Sequence, residues 1–210
     1  MSLYIPEPVI KRLPMYYRYL KEMERENRTF ISSSELAQLT GITASQVRQD
    51  INAFGGGGRQ GCGYPVTEMR KYIASLLGMN KVQTMAIVGM GNMGKALACY
   101  KPIEQSNFSV VAAFDIKQQN SGARIGTLSV DSINEMEKVL DELRVDIAVL
   151  TLPAAVAQVT AERLYRCGVR GFWNFAPCDL QLPQDASVVN VHLDESLELL
   201  SYRLSHPERL

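Results

Sequence analysis

Histidine is nearly absent from this 210-residue chain: His192 and His206 are its only two, both among the final 20 residues. Acid–base or metal chemistry built on imidazole therefore has little to draw on. Cysteine is also scarce. Cys62, Cys99, Cys167 and Cys178 include no Cys-x-x-Cys pair, which argues against a structural zinc site and against a disulfide framework. Thiols of this kind fit a reducing cytoplasm. No apolar run approaches the ~20 residues that span a bilayer. The opening stretch carries charges and prolines where a signal peptide needs an apolar core. Net charge is absent too, with 22 Lys and Arg against 22 Asp and Glu. A soluble cytoplasmic protein is expected, with no metal and no membrane partner.

The zero net charge hides an asymmetry. Residues 1–81 hold 11 basic and 7 acidic side chains, while residues 82–210 hold 11 and 15. A basic part joined to an acidic part suggests that one of them meets a polyanion. Hydrophobic residues make up 46% of the chain, enough for a real core, and the length allows one large or two small domains.

The basic part reads as helices. Ile10, Leu13, Tyr17, Leu20 and Met23 have helical spacing between Pro6 and Asn27, although Pro14 should kink or delay that helix. Ser32 and Glu35 have capping-box spacing before the apolar residues Leu36, Ala37 and Leu39, and Gly41 supplies a stop. A second short helix follows from Thr43, with Val47, Ile51 and Phe54 on one face. Two short helices around a tight Gly-containing turn make a helix-turn-helix pattern. Ser45, Gln46, Arg48, Gln49 and Asn52 fall away from the apolar face and are candidates to contact DNA bases and phosphates. The Gly-rich stretch 55–63 is no helix or central strand, and a hairpin wing there would present Arg59 to a minor groove. Residues 65–77 predict a further helix, and the boundary falls near residue 81.

The acidic part alternates strand and helix, as a doubly wound α/β domain does. Strands are predicted at 85–88, 110–114, 128–130, 147–152, 172–175 and 188–191, with helices at 92–101, 132–143 and 154–167. Several strands are continuous apolar runs, the mark of parallel strands buried on both faces. Gly89, Gly91, Asn92, Met93 and Gly94 form a Gly-x-Gly-x-x-Gly loop after an apolar strand and before a helix, the context in which that motif binds a dinucleotide pyrophosphate. Asp115 ends the next strand, about 20 residues on, where a carboxylate accepts from ribose hydroxyls and repels a 2′-phosphate. NAD(H) is the expected cofactor, with Lys117 and Arg124 leaving NADP(H) open. Thr151 and Pro153 follow one strand, and Asn174, Phe175, Ala176 and Pro177 end another, at the carboxyl edge where such sheets bind ligands. Leu197, Leu200 and Leu204 stripe a last helix at 194–204.

In this order the helix-turn-helix, the wing ending Gly61–Tyr64, the Gly89–Gly94 loop, the strand ending at Asp115, the Thr151–Pro153 and Asn174–Pro177 turns and the leucine-rich tail resemble the Rex family of redox-sensing transcriptional repressors. The resemblance runs from about Ile5 to Leu204. It implies an N-terminal winged-helix domain (1–81), a Rossmann domain (82–192) binding NAD(H), and a C-terminal helix (193–210) exchanged between the subunits of a homodimer. It implies a palindromic DNA operator released when NADH replaces NAD+, and no catalysis. It adds Tyr100 to the cofactor contacts and Arg18 as the link from the DNA-binding domain to the exchanged helix. Four positions depart from the family's usual residues: Gln49 stands for Lys, Ala53 for Tyr, Gln60 for Arg and His192 for Asp. Asp194, two residues along an extended segment from His192, would face the same side and replace the missing carboxylate. Arg18, His192 and Asp194 are thus the expected interdomain switch. The alternatives are a relative with an altered operator or a lost redox response, and an NAD-dependent oxidoreductase.

Overall fold

The computed structural model describes residues 4–207 except Gln60, Gln105, residues 117–121, Ala123 and residues 126–127. Lys117 and Gln60 lie outside the described residues. The chain divides into two compact units, residues 1–81 and 82–210.

The first unit opens with α1 (Glu7–Arg25), followed by β1 (Phe30–Ile31), α2 (Ser33–Thr40), α3 (Ala44–Ala53), β2 (Tyr64–Pro65) and α4 (Val66–Leu76). Pro14 does not delay α1, which starts at Glu7 and runs without interruption to Arg25. Pro14 and Ile10 are both exposed, so the carbonyl left without a donor faces water rather than the core. The buried stripe of α1 is Val9, Leu13, Tyr16, Leu20 and Met23, one residue off the expected Ile10 and Tyr17 at two of its turns. The capping box at α2 is complete: Ser32 Oγ accepts from the Glu35 N–H at 3.1 Å, and Glu35 accepts from the Ser32 N–H at 2.9 Å. Gly41 closes α2 in the left-handed region, φ 73°. Leu36 is buried there, but Leu39 points outward. Thr43 caps α3. β1 and β2 pair antiparallel, and the chain between α3 and β2 forms a tight hairpin in which the Arg59 N–H donates to the Gly63 carbonyl at 2.7 Å. Gly63 has φ 89° and a Cβ there would strike the Ile31 carbonyl, so the wing closes against β1 only because this residue lacks a side chain. Val47, Ile51, Phe54, Val66 and Ile73 join the α1 stripe in one core.

The second unit is a seven-stranded sheet. Its strands are β3 (Gln83–Val88), β4 (Phe108–Asp115), β5 (Arg124–Ile125), β6 (Leu128–Ser132), β7 (Ile147–Leu150), β8 (Gly171–Asn174) and β9 (Ser187–Asn190), in the order β5-β6-β4-β3-β7-β8-β9. All pairs are parallel except the β5–β6 edge hairpin. The six parallel strands thus have the 3-2-1-4-5-6 order of a dinucleotide-binding Rossmann sheet, with β3 as strand 1. The predicted helix at 92–101 is two pieces, α5 (Asn92–Ala98) and α6 (Lys101–Glu104), and Tyr100 lies between them. A 3-10 turn (Ile133–Glu135) leads into α7 (Met136–Glu142), and α8 (Ala154–Arg166) joins β7 to β8. The core lies between β3, β4, β7, β8 and the helices α7 and α8. The chain ends in α9 (Leu193–Ser205), all of whose residues are exposed in a single chain. No described helix is long and apolar enough to cross a membrane.

Candidate functional site

In the second unit the first parallel strand delivers the glycine loop to the carboxyl edge of the sheet. Gly89 has φ 99°, and a Cβ there would lie 2.6 Å from the Thr151 carbonyl oxygen. A Cβ at Gly94 would collide with the Gly89 carbonyl. Gly91, by contrast, is exposed with open space where its side chain would be. Two glycines therefore let the loop fold tightly, and the third leaves its outer face clear for a pyrophosphate. Asn92 and Met93 continue from it on the exposed first turn of α5. Thr151 Oγ1 donates to the Gly89 carbonyl at 2.6 Å, so this residue braces the loop from the adjacent strand end. Asp115 is buried, and its Oδ2 accepts from the Met90 N–H at 2.6 Å. The carboxylate at the end of β4 is therefore brought against the loop, on the side where a ribose would follow the phosphates.

Asn174 proves to be structural. Its Nδ2 donates to the Cys178 carbonyl at 2.7 Å and to Asn190 Oδ1 at 3.0 Å, and its Oδ1 accepts from the Ala176 N–H at 3.1 Å. Its side chain is fully buried and shapes the turn at the end of β8. Phe175 meets Trp173 edge-on at 4.6 Å, Ala176 is buried, and Pro153 and Pro177 are exposed. Tyr100 is exposed. Among the described residues no group of three or more His, Cys, Asp or Glu is placed to hold a metal ion.

In the first unit α3 exposes Ser45, Arg48, Gln49 and Asn52. Arg48 donates to Ser33 Oγ on α2 at 3.1 Å. Arg59 on the wing lies 3.9 Å from Glu68 and over the Phe30 ring at 5.4 Å, but it remains 66% exposed, so leaving these contacts costs little. Gln46 is not simply an outward residue. Its Nε2 donates to Asp50 Oδ1 at 2.8 Å. Asp50, which sequence reasoning missed, is a fully buried carboxylate. It accepts from Arg12 Nε at 2.6 Å and Nη2 at 2.7 Å, and from the Tyr16 hydroxyl at 2.7 Å. Burial pushes the Asp50 pKa up, and the hydrogen bonds from Arg12, Tyr16 and Gln46 more than reverse it, leaving it below the usual carboxylate value. Burial and the Asp50 hydrogen bond push Tyr16 well above an ordinary phenol. The signal was present in the sequence: Asp50 stands among Val47, Ile51 and Phe54 on the apolar face.

Residues 4–52 match the family described as "Putative DNA-binding protein N-terminus", and residues 80–178 match the one described as "CoA binding domain". The chain is 46% identical to the redox-sensing transcriptional repressor Rex of Clostridium beijerinckii, with 95% of both chains covered. It is 44% identical to that of Thermoanaerobacter sp. (strain X514), over 95% of this chain and 89% of the relative. It superposes with TM-score 0.91 and 42% identity on the Rex-family repressor RSP in complex with β-NAD+ and operator DNA, covering 98% of this chain and 94% of that one. RSP in complex with β-NADH matches with TM-score 0.89 and 41% identity, over 97% and 96% of the two chains. The chain belongs to the Rex family.

Arg18, His192 and Asp194, the expected switch residues, lie on α1 and at the start of α9. Arg18 is exposed on α1 with its guanidinium 4.9 Å over the Tyr19 ring. His192 is the residue before α9, and its Nε2 lies 3.1 Å from Asp179 Oδ1, which also accepts from Asn190 Nδ2 at 2.9 Å. Asp194 lies inside the first turn of α9. The extended segment ends at His192, so strand alternation does not turn Asp194 to the same side as His192. The carboxylate that does reach His192 is Asp179, 13 residues earlier.

Proposed function

We propose that this chain is a DNA-binding transcriptional repressor of the cytoplasm that reports the NADH/NAD+ ratio, occupying a palindromic operator and leaving it when NADH binds. The observation that carries this reading is the match over almost the whole chain to RSP, solved both with NADH and with NAD+ and operator DNA. The winged-helix residues Ser45, Arg48, Gln49, Asn52 and Arg59 would meet the DNA, with Gln46 at the groove-facing end of α3. NAD(H) fits the second unit: Gly91 leaves a cradle that a Cβ would fill, and Asp115 stands beside the same loop. The match to a CoA-binding family is compatible, because CoA and NAD share an adenosine diphosphate. The exposed residues Tyr100, Pro153 and Pro177 and the buried Ala176 would line the rest of the site.

Reduction of the nicotinamide removes one positive charge. A largely apolar wall of Ala176, Pro177 and Tyr100 disfavours a cation, because burying an unpaired charge is costly. That wall therefore favours the reduced form. Where one dimer arrangement completes the wall, the ligand selects that arrangement, and DNA and NADH weaken each other's binding by the same factor, typically ~1–3 kcal/mol. The second subunit would come through α9. Leu197, Leu200 and Leu204 are 67%, 52% and 75% exposed in one chain, a stripe that a covered sheet does not need and a homodimer would bury.

A second reading, an NAD-dependent oxidoreductase, is favoured by one contact: His192 paired with Asp179 is the arrangement an acid–base histidine uses. Two assays decide. Mobility shift on a palindromic duplex should show a specific complex, and NADH should bind by calorimetry without turnover when small carbonyl compounds are supplied. Steady NADH consumption with no DNA complex would favour the enzyme.

A further inference from the structure

Asp50 has two oxygens and four donors within 2.8 Å: Arg12 Nε, Arg12 Nη2, the Tyr16 hydroxyl and Gln46 Nε2. An ionised carboxylate accepts only, and four donors use its full lone-pair capacity. The side-chain amide of Gln46 can therefore turn only its NH2 toward Asp50, since its carbonyl oxygen would meet a negative charge with no proton between them. This fixes which way the amide points, a choice that most surface glutamines leave open.

The consequence falls on the groove-facing end of α3. Gln46 is the third residue of that helix, its own N–H held by Thr43 Oγ1 at 3.1 Å, and it is half-buried rather than enclosed. Asp50 lies four residues on along the same helix. The Gln46 amide nitrogen is thus the atom held at the carboxylate, 2.8 Å from Asp50 Oδ1. When the hydrogen on the Cγ side is the one given to Asp50, Oε1 and the second hydrogen are left side by side, one acceptor next to one donor. In the major groove only adenine offers the matching pair, a donor at N6 beside an acceptor at N7. Guanine offers two acceptors, and cytosine and thymine one hydrogen-bonding group each.

We propose that Gln46 is a base reader for adenine in each operator half-site, with Asp50, itself clamped by Arg12 and Tyr16 of α1, as the residue that orients it. The proposal rests on the reading that α3 enters the major groove. Asp50, Arg12 and Tyr16 are positioning residues: they touch no base. The helix-to-helix clamp also sets the angle at which α3 is presented, because Arg12 and Tyr16 hold it from α1.

The test is competition binding of the full-length dimer to a selected palindromic operator and to duplexes in which each half-site base pair is changed in turn. In the wild type, one adenine per half-site should resist replacement, with a loss of about ten-fold per half-site. Gln46→Met, which keeps the side chain's length and leaves Asp50 its three donors from α1, should flatten the preference at that one position. It should preserve preferences elsewhere and the salt dependence, since no phosphate contact is removed. Asp50→Asn should lower the same preference when its melting curve shows a folded first unit, because Asn can present either edge to Gln46. Specific operator binding with an adenine preference untouched by Gln46→Met, or with no adenine preference in the wild type, overturns the proposal alone. Absence of any sequence-specific DNA binding by the wild type overturns the repressor reading with it.

Discussion

Replacing Asp50 with Ala should weaken the first unit far more than its single charge suggests. The carboxylate is fully buried and receives four hydrogen bonds, three of them from α1. Its loss strands the Tyr16 hydroxyl, which is itself buried, and an unsatisfied buried donor costs about 1–3 kcal/mol. Arg12 is left without its carboxylate, but its side chain is 26% exposed and can turn to water, so the full ~3–5 kcal/mol of a broken buried pair should not appear. A loss of about 3 kcal/mol is the expectation from these two terms. The assay can be local. Trp173 is the only tryptophan, and it belongs to the second unit, so its fluorescence follows that unit alone. Amide exchange in α1 and α3 reports the first. Protection of those amides should fall by about two orders of magnitude, while the Trp173 unfolding transition stays where it was. Tyr16→Phe should cost only about 1 kcal/mol, because it removes one of four donors and leaves nothing buried unpaired on the phenyl side. The Asp50 pKa is depressed by folding, so its contribution is fully present above the unfolded carboxylate value near 4 and is lost as pH falls through the lowered folded value. The gap between wild type and Asp50→Ala should therefore close in acid. A loss below about 1 kcal/mol, or an equal shift of the Trp173 transition, would refute the reasoning.

Asp115→Ala should weaken NADH binding by roughly 1.5–3 kcal/mol and narrow the discrimination against NADPH, read by calorimetry with both dinucleotides; unchanged affinities would place the ribose elsewhere. Deleting residues 194–210 should leave monomers or aggregates in sedimentation velocity, because the stripe of Leu197, Leu200 and Leu204 goes with it, and a soluble dimer would contradict the exchanged helix. Glu35, held by the Ser32 N–H and then by Arg28 and the Ser32 hydroxyl, is lowered to about 2. Its stabilisation of the start of α2 is complete above the unfolded carboxylate range and lost only as pH falls through about 2, so amide exchange at α2 should show the cap intact at pH 4.

What the sequence disclosed was whatever is settled by neighbours along the chain. Ser32 and Glu35 are three residues apart, and the glycines of the loop lie within six, so their roles can be read from spacing. That the strands of the second unit run parallel and alternate with helices could be read from continuous apolar runs set between helical patterns. What stayed hidden depends on distant partners. Asp50 is explained by Arg12 and Tyr16, 38 and 34 residues away, and so looked like one more polar residue on α3. The side-chain partners of Asn174, Cys178 and Asn190, were likewise out of reach of spacing along the chain. β1 and β2 have two residues each, too short for any alternation to register. The stripe of α1 shifted because both Val9 and Ile10, and both Tyr16 and Tyr17, are apolar neighbours, and only packing chooses between them. His192 illustrates the same limit: its carboxylate partner, Asp179, lies on the preceding turn rather than two residues along.

In the proposed repressor, the dinucleotide that fills the second unit decides whether the first holds DNA. Fluorescence anisotropy of a labelled operator duplex with the full-length protein, at fixed total dinucleotide and a varied NADH/NAD+ ratio, reads that coupling directly. DNA should be bound at low ratio and progressively released as NADH rises, with a weaker apparent NADH affinity at higher operator concentration by the same factor. Anisotropy that stays flat across the whole ratio, with both dinucleotides shown to bind, would contradict it.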